Sequence, residues 1–123
     1  MLIHEPYRVL ICGSRDYSKR KAIEGVIDAM KEVHGERLVI IAGGARGADA
    51  IAEQAARLKG VKVVVVKADW SRGRSAGIIR NNLMLDMQPN EVVAFWDGQS
   101  KGTEHTISEA QRCKIPVTIY GDG

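Results

Sequence analysis

The chain alternates short apolar runs with longer segments in which apolar residues recur every three or four positions. A short apolar run is typical of a buried strand, and a repeat of three or four is typical of an amphipathic helix. The predicted strands are residues 8–12, 38–42, 61–66, 91–96 and 115–120, and the predicted helices are residues 19–34, 48–58, 76–87 and a helix beginning near residue 103. Strands and helices that alternate through short loops form parallel sheets with right-handed crossovers. The sequence therefore predicts an α/β fold: a three-layer sandwich around a five-stranded parallel sheet.

The expected strand order is 3-2-1-4-5. In such a sheet the chain winds in one direction through strands 1 to 3 and in the other through strands 4 and 5, which leaves a crevice beyond the carboxyl ends of strands 1 and 4. The loops that begin at Gly13 and Asp97 border this crevice, and the loop that begins at Gly43 lies beside them. We therefore expect a binding site where these loops meet.

Two packing expectations follow from the apolar pattern. The third strand, VKVVVV at residues 61–66, is dense in β-branched residues and predicts a strand that is buried on both faces. In the third helix, Ile79, Leu83 and Met87 form one stripe, which predicts the face that packs against the sheet.

Three loops combine glycine with basic or small hydroxyl residues. They are residues 43–47 (GGARG), residues 98–103 (GQSKGT) and the thinner residues 13–15 (GSR). Where a loop leads into a helix, unpaired backbone N–H groups and the positive end of the helix dipole attract anions, and glycine lets a phosphate approach the backbone. The sequence therefore predicts phosphate binding at this edge of the sheet.

Further candidate contacts lie on the helices and loops beside these glycines. Arg46 and Arg80 are expected to neutralise phosphate charge, and Trp70 offers a ring on which a purine can stack. Asp49 has three open roles: it favours the helix dipole, orders the loop, or holds a ribose. The full set of predicted ligand-binding residues is Gly13, Ser14, Arg15, Gly43, Gly44, Ala45, Arg46, Gly47, Asp49, Asp69, Trp70, Arg80, Asn81, Asp97, Gly98, Ser100, Gly102 and Thr103.

Several enzyme classes lack their motifs in this chain. GxxxxGK[ST] does not occur, which excludes the usual nucleoside triphosphatase loop. The GGxxG at residues 43–47 follows the second strand and is not the GxGxxG of dinucleotide enzymes. Residues 98–102 match GxSxG, but the sole histidine after Ser100 is His105, five residues on in the same predicted helix with one strand remaining, which leaves no room for the separate acid and histidine that a nucleophile elbow requires.

The length of the chain favours a single domain over residues 1–123, and its charge indicates the kind of ligand. The 123 residues carry a net charge of +3, with a pI near 9.0, which suits an anionic ligand but is low for a protein that coats nucleic acid. Cys12 and Cys113 form no CxxC pair and the histidines are not at ligand spacing, so we expect reduced cysteines, no metal and a cytoplasmic location. The apolar runs are short and interrupted, so we expect no membrane segment.

Four segments together resemble one known family: VLICGSRD, IAGGARGADAIAE, ADWSRGRSAGIIRNNLML and VVAFWDGQSKGTEHTI. In order and spacing they look like the SLOG superfamily, the Rossmann-like fold of the Lonely Guy phosphoribohydrolases and the DprA/Smf DNA-processing proteins, and specifically its small YspA or DUF2493 branch. The resemblance covers residues 8–120. It implies recognition of nucleotides or nucleotide-derived ligands in the crevice, often by a homodimer.

The resemblance also locates a missing catalytic group. The Lonely Guy enzymes carry a PGGxGTxxE segment whose glutamate, with an arginine on the preceding helix, acts on an N-glycosidic bond. Here Gly102 and Thr103 match the GT and Arg80 matches the arginine, but Thr106 stands at the glutamate position. The resemblance thus implies that phosphate binding is retained and that the family carboxylate is absent.

Three hypotheses follow for the function. The first is a binding module for a nucleotide-derived small molecule, such as an ADP-ribose or NAD derivative or a nucleotide second messenger, which acts as sensor, carrier or sequestering protein and needs no other cofactor. The second is a nucleotide N-glycosidase that uses Asp49, Asp97 or Glu104 instead. The third is single-stranded DNA binding as in the DprA branch, which the small number of aromatic residues disfavours.

Overall fold

The computed structural model of the chain describes residues 5–121. It contains the five predicted strands, four α-helices and two short 3₁₀ turns. The strands are β1 (Tyr7–Gly13), β2 (Leu38–Ala42), β3 (Lys62–Val65), β4 (Glu91–Phe95) and β5 (Val117–Tyr120). The helices are α1 (Arg20–His34), α2 (Ala48–Leu58), α3 (Ala76–Asp86) and α4 (Lys101–Arg112), and the 3₁₀ turns are Gly35–Arg37 and Trp70–Arg72.

The sheet confirms the predicted fold class and strand order. All four strand pairs are parallel, in the order β3-β2-β1-β4-β5. Because β1 lies at the centre, its alternate side chains enter two cores. Val9 and Ile11 pack with α1 and α2, whereas Leu10 and Cys12 pack with α3 and α4. The sheet is therefore covered on both faces, as the alternation of strands and helices predicts.

The prediction that the third strand is buried on both faces is wrong. Lys62 is exposed, and the valines at 63–65 are half-buried. The reason is topological: β3 is the edge strand, beside β2 alone. A run of β-branched residues therefore predicted a strand correctly but did not distinguish an edge strand from a central one.

The stripe predicted on the third helix is wrong at Ile79 and Leu83, whereas Met87, just beyond the end of the helix, packs against the core. Ile79 is 39% exposed and Leu83 is 51% exposed. The buried positions of α3 are Ala76, Arg80, Asn81, Met84 and Leu85. Met84 and Leu85 join the core that α4 completes, so the helix buries a face whose middle turn, at Arg80 and Asn81, is polar. That polar turn has buried partners, described below, which a count of apolar residues does not reveal.

Candidate functional site

A cleft of about 360 Å³ opens beyond the carboxyl ends of β1 and β4, where the strand order reverses. We call it the central cleft. Its lining is Cys12, Gly13, Arg15, Asp16, Ala45, Arg46, Asp49, Arg80, Asn81, Met84, Ser100, Lys101, Gly102, Thr103 and Thr106. A neighbouring side cleft of about 550 Å³ lies beyond β2 and β3 and is lined by Arg15, Gly43, Gly44, Ala45, Arg46, Lys67, Ala68, Trp70 and Arg80. Four residues are shared, so the clefts adjoin.

The amino end of α2 is closed by the chain itself. The N–H of Ala48 donates to the carbonyl oxygen of Ser14 at 3.2 Å. Gly47 has a φ of +77°, and a Cβ there would lie 2.4 Å from the carbonyl oxygens of both Ser14 and Arg15. The loop after β1 thus packs directly against this helix start. Gly47 has a structural role, and the predicted anion site on its backbone is partly filled by peptide oxygens.

The amino end of α4 is open. Apart from its chain neighbours and the backbone of its own helix, no atom lies within 4 Å of the position that a Cβ on Gly102 would take, and the Ser100 side chain does not cap the helix. The N–H groups of Gln99 and Ser100, which precede the helix, each donate to Asp97 at 2.8 Å. The first-turn amides at Gly102 and Thr103 have no intrahelical acceptor, because the first turn of any α-helix lacks one. They line the central cleft with the positive end of the dipole.

Asp97 belongs to the framework of this loop. Besides the two amides, it accepts a hydrogen bond from the Ser100 hydroxyl at 3.2 Å, and its own N–H donates to the Ser14 hydroxyl at 3.0 Å. These hydrogen bonds, the backbone ones first, hold the pKa of the Asp97 carboxyl below its usual range. The carboxylate is therefore engaged in ordering the turn before α4, and it does not line either cleft.

Arg80 and its neighbour Asn81 connect two of the loops through hydrogen bonds. Arg80 Nη1 donates to the carbonyl oxygen of Gly43, and Arg80 Nε donates to Asn81 Oδ1 at 2.9 Å. Asn81 in turn donates from Nδ2 to the carbonyl oxygen of Gly102 at 3.2 Å. Burial lowers the pKa of Arg80, and the nearby Asp49 opposes that shift. This chain of contacts joins the loop after β2 to the first turn of α4, so Arg80 and Asn81 position the site as well as line it.

Asp49 is a buried carboxylate at the wall of the central cleft. It is 6% exposed; its Oδ2 accepts a long hydrogen bond of 3.4 Å from the N–H of Ala45, and its Oδ1 has no partner. Burial raises the pKa of Asp49 to about 6, against the opposing effect of Arg80. The loop-ordering role predicted for Asp49 is therefore visible at one oxygen only.

The side cleft contains the aromatic surface. Trp70 is 55% exposed, and the Arg15 guanidinium lies 5.7 Å from the centroid of its ring. Gly77 gives the ring room, because a Cβ there would lie 3.3 Å from Trp70. A guanidinium on an indole leaves a flat, cationic wall that an aromatic ligand can share. Arg46, by contrast, is exposed and pairs with Asp16 at 3.7 Å.

Thirteen of the predicted ligand-binding residues line one or both clefts, and five do not. The thirteen are Gly13, Arg15, Gly43, Gly44, Ala45, Arg46, Asp49, Trp70, Arg80, Asn81, Ser100, Gly102 and Thr103. The five are Ser14, Gly47, Asp69, Asp97 and Gly98; Ser14, Asp69 and Asp97 hydrogen-bond within or between loops, and the two glycines have positive φ. The clefts also include Lys101 and Lys67, which sequence reasoning missed although each lies in a loop that follows a predicted strand.

The carboxylates considered for N-glycosidic cleavage are placed differently from one another. Asp97 orders its own loop, Glu104 is exposed and lines neither cleft, and Asp49 lines the central cleft. At the position where the Lonely Guy motif has glutamate, Thr106 is buried and donates to the carbonyl oxygen of Gly102 at 3.2 Å. Within residues 5–121, no three His, Cys, Asp or Glu side chains are grouped so that they could hold a metal ion. None of the helices in that range has the length and apolarity to cross a membrane.

Comparison with known proteins gives both a family and relatives. The model of the YspA, cpYpsA-related SLOG family (YAcAr) matches residues 7–73. The chain is 40% identical to the Gene 61 protein of Mycobacterium phage D29 over 123 residues, which cover 94% of this chain and 97% of that protein. It is 28% identical to Lactate utilization protein C of Bacillus licheniformis over 117 residues, which cover 95% of this chain but 45% of that protein.

Two solved structures share the fold. The X-ray structure of DNA processing protein A from Streptococcus pneumoniae superposes with a TM-score of 0.78 at 22% identity, over 94% of this chain and 50% of that one. A structure that concerns the single-stranded DNA binding mode of DNA processing protein A from Helicobacter pylori superposes with a TM-score of 0.71 at 18% identity, over 94% of this chain and 65% of that one. The chain thus spans half to two thirds of these proteins.

Proposed function

Because the chain belongs to the YspA, cpYpsA-related SLOG family, we propose that it binds a nucleotide-derived small molecule in the central and side clefts. The ligand class is an ADP-ribose or NAD derivative or a nucleotide second messenger, and the protein acts as its sensor, carrier or sequestering partner. The observation that carries this proposal is the convergence of an open helix amino end, a cluster of cations and an exposed indole on one edge of the sheet.

The phosphate belongs at the start of α4. Gly102 leaves the first-turn amides uncovered, and Lys101 lines the same cleft. The two clefts together are lined by Arg15, Arg46, Lys67, Arg80 and Lys101 against the carboxylates of Asp16 and Asp49. This excess of positive charge lies beside the amino end of α4. A phosphate bound there would contact both backbone amides and cationic side chains.

The base belongs in the side cleft, against Trp70. A purine on the exposed indole face would lie beside the Arg15 guanidinium, which already contacts the ring. Arg15 lines both clefts, so it stands between the proposed phosphate and base positions. Stacking of a base on an aromatic side chain contributes about 1–3 kcal/mol in other proteins, enough to matter for a ligand of this size.

Calorimetry with ADP, GDP, ADP-ribose and NAD tests the proposal. We expect micromolar binding of at least one of them, weakened at least about tenfold by Gly102→Val, because a branched side chain covers the amides that receive the phosphate. Gly25→Val is the matched control: Gly25 is an exposed glycine inside α1, with no atom within 4 Å of its Cβ position and no place in either cleft. Trp70→Ala is expected to weaken binding roughly five- to a hundredfold, and Trp70→Phe much less.

Two results contradict the proposal. One is no binding of any of the four ligands to folded protein, and the other is equal loss of binding in the Gly102 and Gly25 variants. The same samples, followed by chromatography for free base, report N-glycosidic cleavage directly.

Single-stranded DNA binding is a second candidate function, favoured by a structural neighbour and by the charge of the clefts. The structure of the Helicobacter pylori protein with this fold concerns single-stranded DNA binding, and the edge of the sheet in the present chain is positively charged. The two candidates differ in how many phosphates the protein contacts, and the salt dependence treated in the Discussion separates them.

A further inference from the structure

One polar atom in the central cleft has no partner in the fold. Asp49 Oδ1 is fully buried from solvent and accepts no hydrogen bond, in a residue that is 6% exposed and lines the cleft. Buried carboxylate oxygens are almost always hydrogen-bonded, and one left without a partner destabilises the fold. Because Asp49 lines the central cleft, an unpaired buried oxygen on its side chain points to a group that arrives with the ligand.

The surroundings of Asp49 define what that group is. The Arg80 and Arg15 guanidinium groups and the backbone N–H groups of Ala45 and Gly43 oppose the effect of burial, and at neutral pH, above its raised pKa of about 6, the carboxylate is ionised. An ionised carboxylate only accepts hydrogen bonds, so its partner is a donor. A phosphate oxygen is not a donor, and it is repelled by the same charge. The partner is a neutral donor that lies beside the phosphate in the same ligand.

In a nucleotide, the donors beside the phosphate are the ribose hydroxyls. We propose that Asp49 Oδ1 accepts a hydrogen bond from a ribose hydroxyl of the bound nucleotide, so that the central cleft discriminates against a nucleotide that lacks that hydroxyl. This inference rests on the proposed function, because it takes the phosphate to lie at the amino end of α4. Asp49 then binds the ribose, the first-turn amides at Gly102 bind the phosphate, and Trp70 stacks on the base.

The test is calorimetry with ADP and GDP, each compared with its 2′-deoxy and 3′-deoxy forms. We expect one deoxy form to bind at least about tenfold more weakly than the ribonucleotide, because its loss leaves a charged acceptor unpaired. In Asp49→Ala that ratio falls to within about twofold, since no acceptor remains. Asp86→Ala is the matched control: it removes one negative charge from an exposed position at the end of α3 that lines neither cleft, and it keeps the ratio.

Each outcome decides between the two proposals. If ribonucleotide and both deoxy forms bind equally, or if Asp49→Ala keeps the discrimination, the reading of the sugar by Asp49 is wrong and nucleotide binding stands. If neither ADP nor GDP binds although ADP-ribose or NAD does, the reading of the sugar by Asp49 in these nucleotides is wrong and the proposed function stands; if none of the four ligands binds, both proposals fall. Asp49→Asn is a second variant, which keeps an oxygen that can accept the hydrogen bond from the Ala45 N–H. Circular dichroism spectra of both Asp49 variants show whether a loss of nucleotide binding is caused by a loss of fold.

Discussion

At the scale of single residues, Asp49 shows two opposing electrostatic effects. The amino end of α2 and the Arg80 guanidinium both favour the ionised carboxylate, whereas burial favours the protonated one. Burial is the larger effect, because the pKa rises to about 6 from the ordinary value of 3.8. The protein therefore keeps at neutral pH a charge that its own fold disfavours, which is typical of a residue retained for binding.

This shift predicts how stability depends on pH. A raised pKa means that the native state holds the Asp49 proton more tightly than the unfolded state does, so stability falls as pH rises from about 4 to about 6. At pH values above this range the ionised carboxylate lowers the free energy of unfolding by up to about 3 kcal/mol. We expect Asp49→Asn to be more stable than the unsubstituted protein in urea at neutral pH, without nucleotide, and equally stable below the lower limit of this window. An Asn variant that is less stable at neutral pH would show that the charge is stabilising.

Two glycines of the candidate site, Gly47 and Gly102, differ in what surrounds them. Gly47 is fixed by a positive φ and by the carbonyl oxygens of the preceding loop, whereas Gly102 has open space around its Cβ position. Both belong to glycine-rich loops in the sequence, and the pattern alone does not separate them. The difference lies in the packing of the loop after β1 against α2, a contact between segments more than thirty residues apart in sequence.

At the scale of elements, α3 has two functions on one face. Its second turn carries Arg80 and Asn81, which connect the loop after β2 to the start of α4, and its third turn carries Met84 and Leu85, which pack in the core. Residues four apart lie on the same side of a helix, so Arg80 and Met84 are neighbours. The helix thus fixes the site through the same face that anchors it.

The orientation of α3 is testable by truncating neighbouring residues. Met84 is 2% exposed and packs in the core, whereas Leu83 is 51% exposed. We expect Met84→Ala to lower the free energy of unfolding by roughly 2–5 kcal/mol, as for other buried large-to-small changes, and Leu83→Ala to change it by less than about 1 kcal/mol. Urea denaturation monitored by circular dichroism measures both. The opposite order would mean that the apolar stripe predicted from the sequence is the buried one.

Sequence patterns predicted the elements and their order better than the faces that they bury. Strand order follows from alternation and crossover handedness, which depend on the whole chain and tolerate local exceptions. The buried face of α3 depends instead on one guanidinium that finds a carbonyl oxygen 37 residues away. Apolar periodicity treats an arginine as exposed, and it could not predict a buried arginine that is hydrogen-bonded.

At the scale of the whole molecule, the sheet brings together loops that are distant in sequence. Thirteen of the predicted site residues line the clefts because parallel strands place their carboxyl ends along one edge, and the reversal of strand order opens a crevice there. The topology could therefore be used to predict where the site lies. It could not predict which helix start is open, because that depends on the carbonyl oxygens of Ser14 and Arg15.

Charge at the same scale limits the number of phosphates that the protein can hold. The net charge of the chain is +3, and the cations that line the clefts surround one small region. A groove that follows a nucleic-acid strand needs cations and stacking aromatics along its length. Here the exposed indole of Trp70 is next to the cation cluster, which suits one nucleotide better than a strand.

Salt dependence is the prediction that follows for the whole molecule. A ligand with few phosphates, such as ADP, displaces few counterions, so we expect its affinity to fall by less than about tenfold between roughly 50 and 200 mM salt. A single-stranded oligonucleotide of about 20 residues that bound through six to ten phosphate contacts would lose roughly 300-fold or more in affinity over that range. We expect the oligonucleotide to bind weakly and to be released at physiological salt, as measured by fluorescence anisotropy, while ADP measured by calorimetry stays bound. Oligonucleotide binding that persists at physiological salt and that Arg15→Ala and Lys101→Ala both weaken, with ADP unable to compete, would assign these clefts to single-stranded DNA, because the same cations would then serve a chain of phosphates.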